Sequence, residues 1–458
     1  MENIEEKLYL IKEYLWGPPL LILLLGVGFY LTFLLRGVQF RYIGFAVKQV
    51  FATKKTGATG DISHFEALMT SLAGAIGTGA IVGVASALAI GGLGALFWMW
   101  VTAVLGMATK YAESLLAVKY RRKDKRGEMI GGPMEYMEKG LNLKWMALIF
   151  ALMGSIAAVG TGNLVQINSI VEAVDTLWQV DPLISGCIIA VFTGLVILGG
   201  VKSIGHVSAV FVPLMALFYF TGGILIILLH YKNIPSAFST IFYSAFSGQA
   251  AVGGFSGATL MLAIQMGVSR SIFSNEAGLG ISSIAAAAAK TDSPGRQAMI
   301  TMTGALLSTG IICTITGLVI AVTGVFGATT SDGRLLNGAA LAILAFDSGI
   351  YGGSYIVTIG LILFAFSTVI AWAYYGEKCF EYMFGERSII PYRIFFTLIV
   401  IPGAIMKMET VWYIADISNA LMVIPNLIAL VLLSGDIKKE TNNFISIITK
   451  ENKQLNPL

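Results

Sequence analysis

Ser71 to Leu96 reads SLAGAIGTGAIVGVASALAIGGLGAL, and Arg270 to Ala289 reads RSIFSNEAGLGISSIAAAAA. Both runs are apolar enough to lie in a bilayer, yet each is interrupted: Gly74, Gly77, Gly79 and Gly83 fall inside the first, and Asn275, Glu276, Gly278 and Gly280 inside the second. Glycine lowers helix propensity by roughly 1 kcal/mol relative to alanine, so each cluster marks a place for a helix to unwind. Unwound backbone at membrane depth persists only where it faces packed protein or a cavity. Small-residue patterns such as Gly79/Gly83 and Ala285 to Ala289 also serve plain helix packing. Two clusters at matched depth, one holding Asn275 and Glu276, favour paired breaks.

The rest of the chain fits a membrane setting. Of 458 residues, 56% are hydrophobic and 12% charged, with a mean hydropathy of +0.79. A soluble domain carries about 25% charged residues, so most of this surface must face lipid. About eleven apolar runs have the length of a spanning helix, roughly 20 residues. They are Gly17 to Arg36, Phe65 to Ile90, Leu93 to Val118, Trp145 to Leu177, Leu183 to Gly199, Val207 to His230, Gly254 to Ala289, Gln297 to Val325, Tyr351 to Phe384, Arg393 to Met406 and Val411 to Leu433. Ile234 to Phe246, with Pro235 at its start, reads as a short surface helix, and Asn337 to Phe346 as a second one capping a loop.

Basic residues set the expected orientation. Arg36, Arg41, Lys48, Lys54 and Lys55 follow the first span, and Lys119, Arg121, Arg122, Lys123, Lys125, Arg126, Lys139 and Lys144 occupy the next loop but one. Alternate loops, such as Asp175 to Pro182 or Lys407 to Glu409, hold almost none. The positive-inside rule then places the N-terminus outside and the tail, with Lys438, Lys439, Lys450 and Lys453, in the cytoplasm of a multi-pass cell-membrane protein. The N-terminal segment is acidic and amphipathic, without a basic n-region, so no removable signal peptide is expected. The 3 Cys and 3 His are scattered singly, without the spacing of a disulfide framework or metal cluster.

If the first span is set aside, the breaks open the first and sixth of ten helices. Five intervening spans insert the second half upside down. Paired interrupted helices in equivalent positions of inverted halves point to a secondary-transporter site. Half-helix N-termini offer N–H groups and a positive dipole end to a carboxylate, and freed carbonyls suit an ammonium or a metal cation.

At these residues the sequence resembles the alanine or glycine:cation symporter family, also called the sodium:alanine symporters. The matching strings are the run from Ser71 extended to SLAGAIGTGAIVGVASALAIGGLGALFWMW, AESLLAVKYR from Ala112, GGPMEYM from Gly131, FSNEAGLG from Phe273 and LFAFSTVIAWAYYGEKC from Leu363. The family usually has Asn after the GTG of the first broken helix, where this chain has Ala80; backbone roles at Gly77 to Gly79 are unaffected. The resemblance implies an all-α membrane protein of the leucine-transporter fold, with ten core helices in two inverted five-helix repeats plus one extra N-terminal helix. It also implies coupled uptake of alanine or glycine with a cation, usually a co-transported sodium ion. The expected division is residues 1–63 as surface segment, extra helix and cytoplasmic loop, 64–232 as the first repeat, 233–434 as surface helix and second repeat, and 435–458 as a cytoplasmic tail.

Roles follow from that frame. The backbone amides of Gly77, Thr78 and Gly79, with the Thr78 hydroxyl, are expected to receive the substrate carboxylate, and carbonyls near Ala75, Ile272 and Phe273 its ammonium, with Ser274 and Asn275 beside them. The Thr78 hydroxyl is equally open to bonding back within its helix. Gln166, in GTGNLVQINSI, either closes over the carboxylate or ties helices together. Hard cations prefer oxygen ligands, and resemblance to the leucine-transporter fold assigns sodium to the hydroxyls of Ser367 and Thr368 and the carbonyls of Ala73, Ile76 and Phe364. Trp372 either floors the pocket or sits at an interface. Glu276 either accepts local N–H groups or titrates, the structural role being preferred, and Arg270 is expected to pair with Asp416 as a gate. Lys110 and Glu113 read as a pair one turn apart.

A phosphate-binding GxxxxGK[ST] loop is absent, which excludes a primary pump of that kind. A channel is disfavoured by the lack of repeated filter strings, and an intramembrane enzyme by the lack of paired catalytic side chains within spans. The expected partners are a small amino acid and the lipid bilayer, with no nucleic acid and no obligate protein partner.

Overall fold

Helices begin where the sequence supplies caps. Ser63 and Glu66 form a reciprocal capping box, with Ser63 N donating to Glu66 Oε2 at 2.7 Å and Glu66 N to Ser63 Oγ at 3.2 Å. Asp181 caps the helix opened by Pro182, accepting from Leu183 N at 2.8 Å. The computed structural model describes residues 2–51, 58–247, 260–330, 333–406 and 408–455. Lys54, Lys55, Lys407 and residues 254–259 of the seventh expected span lie outside the described residues, as do the side chains of Glu409 and Lys453.

In chain order the principal helices are α1 (Glu2–Leu15), α2 (Pro18–Leu34), α3 (Ile43–Val50), α4 (His64–Ala75), α5 (Val82–Gly91) and α6 (Gly94–Lys119). A two-residue antiparallel ladder, β1 (Arg122–Lys123) with β2 (Met129–Ile130), precedes α7 (Pro133–Leu141). Then come α8 (Lys144–Trp178), α9 (Pro182–Ile197), α10 (Gly200–Leu229), α11 (Ile234–Ser247), α12 (Leu260–Asn275), α13 (Ser283–Ala287) and α14 (Pro294–Thr323). The chain closes with α15 (Gly338–Gly349), α16 (Gly353–Phe384), α17 (Ile389–Leu398), α18 (Val400–Ile405), α19 (Met408–Leu432) and α20 (Ser434–Leu455). Both short surface helices expected from the sequence are present as α11 and α15. Asn337 Oδ1 caps α15 by accepting from Gly338 N at 2.6 Å.

Among the described residues, eight helices are long and apolar enough to cross a membrane. The other three expected spans differ for identifiable reasons: α9 has 16 residues, and the runs at 65–90 and 254–289 are broken. Apolar side chains such as Ile22, Phe33, Leu195 and Leu217 are exposed around the outside, the arrangement that acyl chains require.

Packing sorts the helices into two groups. α6 lies along α12 and α14, and α5 against α12. α16 packs along α8 and α10, and α8 along α19. α4 meets both groups through α14, α10 and α16, so the first break opens at the seam between them.

The segment read from the sequence as a cytoplasmic tail is helical over Ser434–Leu455 and seated on the core. Phe444 is buried and fits where Gly295 leaves room, and Tyr111 Oη donates to Thr441 Oγ1 at 3.1 Å. Arg296, 2% exposed, reaches Asp292 and Glu451 at 2.8 Å and Gln49 at 2.9 Å.

Candidate functional site

The first break leaves a short exposed ladder of backbone groups. Ile76 N makes the last α4 bond, to Leu72 O at 2.7 Å, and one 3₁₀ turn over Thr78–Ala80 precedes α5. The carbonyls of Ala73 to Ile76 therefore lose the amides that a continuous helix would give them. Thr78 N donates instead to Gln166 Oε1 at 3.0 Å, and Gln166 Nε2 donates to Thr161 O at 3.0 Å. The Gly77 and Gly79 amides have no acceptor among the described residues. Nor has the buried Thr78 hydroxyl, so no back-bond occupies it.

Close approach explains both glycines. A Cβ at Gly77 would lie 2.4 Å from Thr368 Oγ1 and 2.8 Å from Gln166 Oε1, and one at Gly79 would lie 2.7 Å from the Phe273 ring and 3.1 Å from its carbonyl oxygen. The sequence separates these residues widely, yet Gly77, Thr78, Gly79, Gln166 and Phe273 converge, with Ala75 at the end of α4.

The second break starts later than expected. Glu276 N donates to Ile272 O at 2.8 Å, so helix α12 is intact through Asn275 and the Ile272 carbonyl is taken. The chain turns at Glu276 (φ +59), Gly278 (φ +91) and Gly280 (φ +75). Ala277 N donates to Asn275 Oδ1 at 2.9 Å, while Gly278 N and Gly280 N donate to Glu113 Oε1 at 2.9 and 3.0 Å. It is the carbonyls of Phe273 and Ser274 that lose their helical amides. Asn275 turns its amide back to Ser271 Oγ at 3.0 Å, and Ser274 Oγ meets Cys313 Sγ at 2.9 Å. Neither side chain points at the glycines of the first break.

Several residues that hold this break were not assigned from sequence. Lys110 Nζ donates to Asn275 O at 2.7 Å, and Asn426 Nδ2 bridges Glu113 Oε1 and Gly278 O, both at 2.8 Å. Lys110 and Glu113 are fully buried, and their hydrogen bonds go to Asn275 O on one side and to the Gly278 and Gly280 amides and Asn426 on the other, not to each other. Their helical spacing suggested pairing; the actual partners are backbone groups more than 160 residues away. The local N–H groups expected at Glu276 go to Glu113.

A hydroxyl and carbonyl set assembles between α4 and α16. Thr368 Oγ1 donates to Ala73 O at 2.8 Å and Phe364 O at 3.0 Å, and Ser367 Oγ to Phe364 O at 2.8 Å. Ile76 closes the same turn of α4, and all five residues are buried. These oxygens are the ligand chemistry of a hard monovalent cation.

Trp372 is buried, and its indole N–H donates to Gly74 O at 3.2 Å, so it lies against the first break rather than at an interface. Gly162 allows that fit, since a Cβ there would stand 2.2 Å from the Trp372 Cβ. On the other side of the site, Arg270 Nη2 lies 3.6 Å from Asp416 Oδ2, and its guanidinium sits 5.0 Å from the Trp412 ring. The Trp412 and Phe273 rings are 5.1 Å apart. A cavity of about 300 Å³, lined by Val82, Ser86, Arg270, Asn337, Trp412 and Tyr413, opens beside this pair.

At the opposite ends of the broken helices, the chain is clasped by charge. Arg121 donates to the carbonyls of Ala287, Ala289 and Thr59 at 2.8 to 2.9 Å, which ties the segment before α4 to that after α13. Lys378 joins Glu128 and Glu381 at 3.1 and 2.9 Å, and Arg126 joins Asp124 and Glu128 at 3.2 and 3.1 Å. One arginine–aspartate pair on one side and a denser network on the other bracket the two breaks.

Two broken helices facing each other beside a buried cluster of hydroxyl and carbonyl oxygens are the arrangement of a membrane transporter of the leucine-transporter fold. The solved structure of MhsT in complex with L-phenylalanine superposes with a TM-score of 0.60 over 82% of this chain and 90% of that one, at 15% identity. The chain belongs to the sodium:alanine symporter family, whose profile matches residues 1–456. The sodium/alanine symporter AgcS of Methanococcus maripaludis is 51% identical over 450 residues, covering 97% of this chain and 98% of that relative. A putative sodium/proton-dependent alanine carrier protein, YrbD of Bacillus subtilis, is 35% identical over 437 residues, 93% of this chain and 89% of its own. The protein is thus a secondary active amino-acid symporter.

Proposed function

We propose that this chain takes up alanine or glycine together with sodium, by alternating access around the two breaks. In this reading the Gly77 and Gly79 amides and the Thr78 hydroxyl seat the substrate carboxylate, and the Thr78 amide, which now donates to Gln166, joins them as Gln166 moves to close over it. The carbonyls of Ala75 and Phe273 receive the ammonium. Trp372 and Phe273, which pack against the first break, would flank the substrate side chain and favour a small one. Sodium is held by Ala73, Ile76, Phe364, Ser367 and Thr368, which lie on both sides of the α4–α16 seam, so the ion stabilises the seam as it binds.

The frame for this cycle is eleven spans, with residues 64–232 and 233–434 as inverted halves after an extra N-terminal helix. The N-terminus lies outside the cell and α20 in the cytoplasm, following the basic loops. Arg270 and Asp416 then form an outer gate, and the Lys378 and Arg126 network an inner one.

The observation that carries the reading is the pair of unpartnered amides at Gly77 and Gly79, four and six residues past the Ala73 carbonyl in the chain, with Gly77 next to the Thr368 hydroxyl in space. Free N–H groups attract a carboxylate, and adjacency to the cation set explains coupling. Uptake of labelled alanine and glycine into proteoliposomes, under an imposed sodium gradient or an imposed proton gradient, tests it. Accumulation with sodium alone is expected; accumulation indifferent to both gradients removes the proposal.

A further inference from the structure

Glu276 stands in the second break with its carboxylate against the first. A Cβ placed on Gly74 would lie 3.0 Å from Glu276 Oε1 and 3.1 Å from Tyr375 Oη. The residue is 1% exposed, and neither carboxylate oxygen has a hydrogen-bond partner in the protein. Tyr375 Oη donates elsewhere, to Thr70 O at 3.2 Å, and the Trp372 indole N–H, which also lies beside the Glu276 carboxylate, donates to Gly74 O at 3.2 Å.

The charges around it do not balance. Lys110 and Glu113 on α6 are the charged groups that face Glu276, and Lys110 lies in the field of both carboxylates. Glu113 spends one oxygen on the 278 and 280 amides and Asn426, leaving Oε2 without a partner. Lys110 spends its ammonium on the Asn275 carbonyl. In their ionised forms the two buried carboxylates and one ammonium leave a single negative charge over, and three carboxylate oxygens have no hydrogen-bond partner. A buried carboxylate without a partner is strongly destabilising, and an ionisable group at membrane depth marks an ion path by default.

We propose that Glu276 is the seat of a second monovalent cation, a sodium ion or a proton, loaded and released once per transport cycle. The site joins the two broken helices through Gly74 and is separate from the Ser367 and Thr368 set. The occupant neutralises the surplus charge while the helices are closed on substrate. When the cation is a proton, it passes from water on one side to the Glu276 carboxylate and leaves to water on the other, with no other bond changed. The inference deepens the symport reading and rests on it.

The test measures charge moved per alanine in proteoliposomes, from the reversal potential of flux under potassium and valinomycin, for the parent protein and Glu276→Gln. The expected result is one elementary charge fewer per alanine in the variant. With sodium as the occupant, the variant's reversal potential responds less steeply to the sodium gradient. With a proton, the parent alone responds to a pH gradient. The same charge ratio and the same responses in both proteins overturn the proposal, while a parent indifferent to either gradient overturns the symport reading instead. Should Glu276→Gln fold but not transport, binding decides. Purified Thr368→Ala, alone and combined with Glu276→Gln, is assayed for bound ²²Na⁺ and for protons exchanged on adding alanine. Loss of either signal in the double variant supports the site, and equal signals overturn it.

Discussion

The side-chain oxygen of Gln166 accepts the amide hydrogen of Thr78 at 3.0 Å. This links α8 to the first break at the point where a substrate carboxylate would be received. A hydrogen bond to a charged group contributes about 1.5–3 kcal/mol, so Gln166→Ala should raise the alanine KM by roughly ten- to a hundredfold. Gln166→Glu should be worse, because a fixed anion would hold the Thr78 amide against the incoming carboxylate. Uptake kinetics on the two variants check both the size and the order.

Thr368 is the residue that sees both walls of the cation set, through Ala73 O and Phe364 O. Thr368→Ala should raise the sodium concentration for half-maximal uptake by about tenfold, equivalent to roughly 1.4 kcal/mol, while melting shifts only slightly. Ser367→Ala should do less, since Ser367 bonds only within its own helix and to Met215. Sodium activation curves beside thermal melts separate the effects; unchanged activation in Thr368→Ala removes it from the site.

Two glycines of the same stretch should behave oppositely. Gly77→Ala drives a methyl to 2.4 Å from Thr368 Oγ1, whereas at Gly83 the nearest atom lies 3.9 Å away. Gly77→Ala should abolish uptake and lower stability by about 1–3 kcal/mol through overpacking. Gly83→Ala should transport and melt as the parent or slightly higher, as expected for a helical glycine. Labelled-alanine uptake and melting temperature report on both.

Arg270 and Asp416 should matter for rate and, to a smaller extent, for folding. Arg270→Gln and Asp416→Asn should each slow net uptake severalfold and also lower the melting temperature, because the side chains are only 13% and 10% exposed and removing one partner leaves the other's charge buried. The double exchange Arg270→Asp with Asp416→Arg should recover part of it. Lack of recovery, measured by counterflow, would argue that the arginine serves its Trp412 contact instead.

The seat of α20 should respond to acid. The Tyr120 hydroxyl, Lys119 and Lys439 hold the Asp436 carboxyl below its ordinary value of 3.8, against a smaller opposing effect of burial. A depressed folded-state value means that its contribution is present above the unfolded pKa and lost as pH falls through the folded one. The helix should therefore stay docked at neutral pH and loosen below about pH 4, and Tyr120→Phe should move that limb upward. Proteolysis of α20 against pH measures it. Phe444→Ala should undock it at neutral pH, at a cost of about 3–5 kcal/mol for a buried phenylalanine.

Much of the fold was written in composition and punctuation. Glycines and a lone Asn-Glu inside apolar runs located both breaks, and cation chemistry with family resemblance picked out Ser367, Thr368, Phe364 and Ala73, which the structure brings together. What stayed hidden was tertiary. Nothing local tells that Glu113 will bond Gly278 and Gly280, or that Asn426 will join it. The onset of the second break was placed too early because helix α12 persists until Glu276 adopts positive φ, which propensity alone does not foresee. Trp372 was open between pocket and interface, and only the burial of α16 against α4 and α8 decides its position.

The Thr368 hydroxyl has a consequence for the unloaded half of the turnover. A symporter must come back without cargo, and doing so with bare carbonyls at the seam would leave them unsolvated. If sodium is seated as proposed, rotation about one C–O bond lets the same oxygen either lend its lone pair to the ion or lend its hydrogen to Ala73. The return journey would then be as well sealed as the outward one, with leakage of ions without amino acid held down by a single rotor.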